Sequence, residues 1–373
     1  MSEIVHKSAT CVVAHALDHA DTDVDGKPRK VALKFMLNKD QWEKELHSRG
    51  GTIEDNTSTV DSNFVVPVLR KHDWSAQGGE QRAQRDLARL EATWSHREGA
   101  VSYQFVLAMP RLERSLTDIL FHEHLAPSPE TVHWSEVRII VEQLVLALQY
   151  FHGLKMVHGD VKPLNIMRTF DDKYLLIDLD AAHTFGEPTG LKTSAAFCAP
   201  EMVYEYQADS LDDNVLTRES KVCIRSPAVP GSDPVLASPA LDMWSLGVVL
   251  FQLCTGGALF PARTDDTLDD VSLRALGAWS EGQLKERVAM IHNRLARNLV
   301  LRLLQPDPDN RISLDDVAKH PFVTGAAQQG RMLCEPAFYD LFRKFSVHNL
   351  SQTPLALMRI APCHSWLPCG HGL

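Results

Sequence analysis

The sequence predicts an α+β chain whose strands and helices are segregated along its length. Two observations carry that prediction. Short β-type segments, CVVAHAL, KVALKFM, FVVPVLR and YQFVLAM, crowd into the first 110 residues. From about residue 114 the apolar residues instead recur at helical spacing, in SEVRIIVEQLVLALQYFH and PALDMWSLGVVLFQLCTG. Strands first and helices after is an α+β pattern.

The elements follow in order. The link between the first two strands, DHADTDVDGKPRK, is polar and turn-forming, as a hairpin loop would be. DQWEKELHSR at 40–49 suits a short helix stopped by Gly50 and Gly51. Residues 74–99 are charged and contain QRAQRDLARLEATW, a surface helix inserted between two strands. Val137, Ile140, Leu144, Leu148 and Phe151 fall on one helical stripe. PALDMWSLGVVLFQLCTG is apolar nearly all round, so it should be a buried central helix. ISLDDVAKH opens with Ser313 and Asp316 at capping-box spacing. Residues 205–238 are loop-like, with Ser226-Pro227, Pro230-Gly231 and Asp233-Pro234.

Composition narrows the function classes. With 373 residues the chain can build one large two-lobed domain or two modest ones. A formal charge of -10 and no cluster of Lys/Arg argue against nucleic-acid binding. No apolar run reaches the roughly 18 residues that span a bilayer. MSEIVHKSAT lacks the apolar core of a secretory leader. Seven scattered cysteines, an odd number, fit a reducing compartment better than a disulfide framework. An intracellular protein is expected, in the cytoplasm or the nucleus.

The chemistry concentrates in HGDVKPLNIM at 158–167 and in LLIDLD shortly after it. Together they supply an acid, a cation two residues on, an amide three further, and a second acid after a strand-like run. That set suits in-line phosphoryl transfer. Asp160 would accept the proton of an incoming hydroxyl, and Lys162 would steady the migrating group. Asn165 and Asp178 would hold magnesium. The two segments resemble those of a eukaryotic-type protein kinase, with HGD in place of HRD and DLD in place of DFG. The resemblance runs from about residue 4 to residue 323. It implies a two-lobed fold with a small β-rich lobe over 1–113, a larger helical lobe over 114–325, and ATP between them. Residues 326–373 would form a C-terminal tail.

VALKFM resembles the family's VAIK strand. On that match Lys34 would contact the α- and β-phosphates of ATP and pair with a glutamate on a helix. Glu45 is the first candidate partner and Glu43 the second, because the register of that helix is open. The same match places Val13 and Ala32 against the nucleotide. Lys162-Pro163 resembles serine/threonine rather than tyrosine kinases. SAAFCAPEM resembles the APE segment, with Glu201 as its acid and Arg311 as the expected buried partner. DMWSLG resembles DxWSxG, in which Asp242 would anchor the catalytic-loop backbone. These two segments favour a protein-substrate platform over that of a small-molecule kinase.

Three departures matter. Aligning Val13 and Ala16 with the family's pattern puts His6, Ser8 and Cys11 where the glycines of the nucleotide-covering loop stand. Two side chains held in left-handed backbone would weaken nucleotide binding about ten- to a hundredfold, at ~1–2 kcal/mol each. Losing one charge-stabilising group is comparably or more costly, about 10²–10³ in rate, and the charged set is intact. Gly159 removes the arginine that neutralises a phosphorylated activation loop, so activity is expected not to require phosphorylation of Thr184, Thr189, Thr193 or Ser194. Finally, about 40 residues separate Glu201 from Asp242. A connection this long is functional or disordered, and here it would lie beside the peptide-binding face.

Other signals are weaker. DTDVDG at 21–26 resembles the start of a calcium loop but has Ala32 where the bidentate glutamate belongs. Cys363, His364, Cys369 and His371 fit no zinc spacing, and the aromatic stripe of FYDLFRKF at 338–345 would dock on the helical lobe. The sequence therefore points to a serine/threonine protein kinase acting on a protein substrate with ATP and Mg2+. The rival is a pseudokinase scaffold that keeps the fold and binds partners.

Overall fold

The computed structural model describes residues 3–8, 10–23, 25–50, 59–73, 75, 104–123, 132–189, 194–212, 215–226, 229 and 231–325. By contacts the chain divides into Met1–Gly325 and Ala326–Leu373. The expected helix over 81–94, the aromatic stripe at 338–345 and the Cys/His tail lie outside the described residues.

The amino-terminal part is an antiparallel five-stranded sheet in the order β1-β2-β3-β5-β4. Its strands are β1 (Glu3–Lys7), β2 (Cys11–Thr22), β3 (Pro28–Met36), β4 (Arg70–Asp73) and β5 (Phe105–Pro110). The polar link is a tight turn in which Asp23 Oδ1 accepts from Asp25 N and Lys27 N, with Gly26 at φ 74. Register sets the working face. Val13 pairs with Lys34, Ala32 with Met109 and Lys34 with Leu107, so all five side chains share one face of the pleat.

Helix α1 (Lys39–His47) is capped by Asn38, whose side chain accepts from Asp40 N and Gln41 N. It ends before Gly50 at φ 66. Trp42, 1% exposed, packs against Phe105 at 5.6 Å between ring centroids and ties α1 to the sheet.

FVVPVLR is not the strand that its composition predicts. Val65 bridges Leu176 in parallel, Leu69 N donates to Ala108 O at 2.8 Å, and the strand starts only at Arg70. Pro67 lacks the donor a ladder needs, so the segment changes partner at that point. Its valines 65, 66 and 68 are buried all the same.

The helical part holds α2 (Leu116–His122), α3 (Trp134–Gly153), α4 (Pro239–Thr255), α5 (Asp270–Gly277), α6 (Glu281–Val288), α7 (Arg294–Leu303), α8 (Leu314–Lys319) and α9 (Pro321–Thr324). The predicted stripe on α3 is buried at every position. Helix α4 is buried on all sides from Leu241 to Phe251. Ser313 caps α8 through Asp316 N. Two small sheets frame the site: β7 (Met156–Val157) with β10 (His183–Thr184), and β6 (Arg114–Ser115), β8 (Ile166–Arg168) and β9 (Tyr174–Leu176).

The loop-like reading of 205–238 is overturned for its first half. β11 (Val203–Asp212) and β12 (Val215–Ile224) form a ten-pair antiparallel hairpin. Its polar residues hide a period-two pattern that sequence composition reads as loop. Val203, Val222 and Ile224 pack on the helical core, and a Cβ on Gly277 of α5 would stand 2.8 Å from Val203 Cγ1. Arg274 of α5 donates to Ser220 O at 2.6 Å.

Candidate active site

The loop that carries His158, Asp160 and Asn165 follows β7 and is held by the central helix. Asp242, fully buried on α4, accepts His158 N and Gly159 N, each at 2.9 Å, and meets His152 Nε2 at 2.9 Å. Burying a carboxylate is tolerable because it is so fully hydrogen-bonded. His158 accepts Asp160 N on Nδ1 at 3.2 Å, so its proton sits on Nε2 and is donated to Ile177 O at 3.0 Å. That bond ties the loop to the strand that leads to Asp178.

Beyond this anchor the polar side chains converge. Asn165 closes the turn Pro163–Asn165 and donates Nδ2 to Asp160 Oδ2 at 2.6 Å and to Asp160 O at 3.0 Å. Its amide oxygen is thereby turned away from Asp160. Lys162 Nζ lies 3.3 Å from Asp160 Oδ2, 2.5 Å from Ser194 Oγ and 3.7 Å from Asp266 Oδ2. A cavity of about 350 Å³ reaches Asp160, lined also by Lys44, Gly159, Ala181, His183 and Ser194.

From the sheet side, Lys34 Nζ reaches Glu45 Oε2 at 2.5 Å and Asp178 Oδ1 at 2.6 Å. Burial works against the Lys34 charge, but Asp178 and Glu45 outweigh it and hold the ammonium well above the usual lysine range. Glu45 is fully buried and also accepts Arg49 Nη1 at 3.0 Å. Glu43 instead faces Lys39 at 3.5 Å on the exposed side of α1. Asp178 sits at φ 64, a left-handed conformation that suits aspartate better than most residues. Lys34 and Asp178 thus meet in one ion pair, with Val13 and Ala32 on the Lys34 face of the sheet.

Farther out, Arg311 grips Glu201 through two bonds of 2.7 and 2.6 Å and donates to Ala240 O at 3.0 Å. The guanidinium stacks 5.2 Å from the Trp244 ring. Arg311→Ala would leave Glu201 without its bidentate partner, so unfolding in urea should show a loss of about 3–5 kcal/mol. An unchanged midpoint would contradict that assignment.

A protein kinase domain model matches residues 94–215 and 225–323, more than half of the chain. The chain belongs to the protein kinase family. Residues 216–224, between the two matched stretches, lie within β12 of the inserted hairpin. The curated relatives agree. A probable serine/threonine-protein kinase of Dictyostelium discoideum is 27% identical over 183 residues, 49% of this chain and 29% of that protein. Serine/threonine-protein kinase RAD53 of Saccharomyces cerevisiae is 29% identical over 192 residues, 50% of this chain and 21% of that protein. The SNF-related serine/threonine-protein kinase of Homo sapiens is 29% identical over 190 residues, 49% of this chain and 20% of that protein. The kinase domain therefore spans less than a third of the length of these relatives.

The chain departs from its family at two places that the structure explains. In the β1–β2 turn, Ser8 N donates to Cys11 O at 2.9 Å, while Ser8 Oγ accepts Thr10 N at 3.3 Å and Cys11 N at 3.1 Å. The two amides are satisfied inside the turn, where a glycine-rich loop would aim such groups at phosphate. His6 faces the site: burial lowers its pKa, Asp178 opposes, and Lys162 and Lys34 add to the fall. Burial raises Cys11, with Lys34 opposing.

At Gly159 the backbone is at φ 75, and a Cβ would stand 2.6 Å from Ala181 O. The space an arginine would need is closed by main chain. His183 donates Nδ1–H to that same Ala181 O at 2.6 Å and accepts Lys44 Nζ on Nε2 at 3.0 Å, which links α1 to the stretch after Asp178.

Sequence reading misses two groups at the site. It marks Ser194 only as a phosphorylation candidate, yet Ser194 is 5% exposed and bonded to Lys162. Its position five residues before Ala199-Pro200-Glu201 is the available signal. Asp266 lies in TDDTLDD at 264–270, where nothing sets it apart from the other acids. Of the other phosphorylation candidates, Thr184 is exposed, Thr189 is buried with Oγ1 donated to Val235 O at 2.8 Å, and Thr193 lies outside the described residues.

Proposed function

We propose that this kinase domain is a serine/threonine protein kinase, transferring the γ-phosphoryl of Mg-ATP to a hydroxyl of a protein substrate. The pairing of Lys34 with Asp178 and of Lys162 with Asp160, with the charges of Lys34, Asp178 and Lys162 all acting on His6, is the observation that carries the reading. The residues present fit the cofactor. Asn165 and Asp178 offer oxygen donors suited to magnesium. Magnesium is held by one or two protein oxygens and takes its remaining ligands from phosphate and water.

In this reading Asp160 orients the acceptor hydroxyl and takes its proton, while Lys162 stabilises charge on the transferring group. Lys34, braced by Glu45, positions the phosphates, and Val13 and Ala32 line the nucleotide site. Bound ATP and magnesium supply the transferable group and neutralise its charge; the chain supplies positioning and electrostatics. Serine/threonine choice is supported by Lys162-Pro163 and by the names of the relatives. The closed space at Gly159, with Thr189 and Ser194 buried, supports activity without loop phosphorylation. The lobes would divide near residue 113, ahead of β6. No helix among the described residues is long and apolar enough to cross a membrane.

One observation favours the scaffold reading: the amides of Thr10 and Cys11 are bonded to Ser8. It bears on affinity, whereas the charged set bears on rate, and that set is complete. Saturating Mg-ATP should raise the melting temperature, since a ligand at 100 times its Kd adds about 2.7 kcal/mol. The rise should vanish in Asp178→Ala. An equal rise in that variant, or none in the wild type, would count against the nucleotide site.

A further inference from the structure

The loop after α4 brings to the catalytic lysine a carboxylate that no motif singles out. Asp266 lies in the turn 263–267, where its amide donates to Arg263 O at 3.0 Å and Arg263 N donates to Thr267 O at 2.9 Å. Its φ is 63, in the left-handed region that costs an L-residue about 1–2 kcal/mol. Strain of this sort persists where the surroundings require one geometry. The side chain is 30% exposed and Oδ2 stands 3.7 Å from Lys162 Nζ. Burial raises its carboxyl above the ordinary range, with Lys162 opposing. Meanwhile its main-chain oxygen accepts Ala196 N at 3.1 Å, and Ala196 belongs to the turn Ala195–Phe197 that follows Ser194. One residue therefore contacts the catalytic lysine with its side chain and the activation segment with its backbone.

We propose that Asp266 is a positioning residue for phosphoryl transfer, its carboxylate acting by charge, beside Asp160 and Ser194, to place the Lys162 ammonium. This rests on the phosphotransferase reading above. A lysine stem is long and flexible, so a carboxylate 3.7 Å from its ammonium restrains where the charge sits. Displacing such a group by about 1 Å can slow a reaction about 10²-fold.

The test separates carboxylate from backbone. Asp266→Gly keeps the left-handed turn and the carbonyl that meets Ala196, and removes only the side chain. In the full chain, kcat should fall about tenfold, with KM for Mg-ATP within about twofold and no loss in melting temperature. Asp266→Asn retains an oxygen and should fall about threefold, between the two. Urea unfolding of Asp266→Gly, Lys162→Met and the double variant should give midpoint shifts that do not add. Additive shifts would overturn the contact whether or not the chain transfers phosphate. An unchanged kcat in Asp266→Gly would overturn the positioning role while leaving the kinase reading intact. A wild-type chain without transfer would remove both that reading and the positioning role, and the unfolding cycle would still decide the contact.

Discussion

Asp160→Asn is expected to lower kcat by about 10²–10⁴ while leaving the Mg-ATP melting shift in place, because a positioned general base contributes on that order. Asparagine has the same shape, and its Oδ1 can still accept the Asn165 amide that now sits 2.6 Å from Asp160. The 3.3 Å charge contact with Lys162 is lost, but Ser194 and Asp266 remain beside that ammonium. The fold should therefore survive, and the loss should fall on kcat rather than on KM for ATP. A variant that transfers phosphate at the wild-type rate would remove Asp160 from the reaction.

Restoring the family's arginine is expected to do harm. Gly159→Arg must place a Cβ 2.6 Å from Ala181 O, and that atom is main chain, so it cannot rotate away. The left-handed φ of 75 adds its own penalty of about 1–2 kcal/mol. A total of about 2–4 kcal/mol is expected, read as a fall in melting temperature of roughly 5–10 °C. Gly159→Ala should show most of that fall, since the Cβ is common to both. The stretch after Asp178 would shift with Ala181, so phosphoryl transfer should drop as well. An arginine variant as stable as the wild type, whose activity then depends on phosphorylation of Thr184, would show that the space at Gly159 is open.

What is legible in the sequence depends on whether one local pattern decides the matter. The stripe Val137, Ile140, Leu144, Leu148 and Phe151 buries as its spacing requires, because a helix face is set within a few turns. Lys34 and Glu45 require a long-range register, so two glutamates stay open until α1 is seen to bury Glu45 and expose Glu43. FVVPVLR reads as one strand, yet Pro67 divides it between two partners, a property of the neighbours rather than of the segment. The 203–224 hairpin reads as loop because its strands carry charged and small polar residues; its pairing with itself and its packing on α5 are tertiary facts. Gly159 looks like a lost arginine, whereas its positive φ and the nearness of Ala181 O show a position where a side chain does not fit. Asp266 cannot be found at all without coordinates, since only the turn after α4 carries it to Lys162.

The measurement that bears most directly on the account is transfer of label from γ-³²P-ATP to a mixed protein substrate with magnesium, followed by phosphoamino-acid analysis, with Asp160→Asn run beside the wild type. Label on serine and threonine, dependent on magnesium and lost in the variant, is the predicted result. Nucleotide binding with no label above that of Asp160→Asn would contradict it and leave a scaffold that only keeps the shape of a kinase.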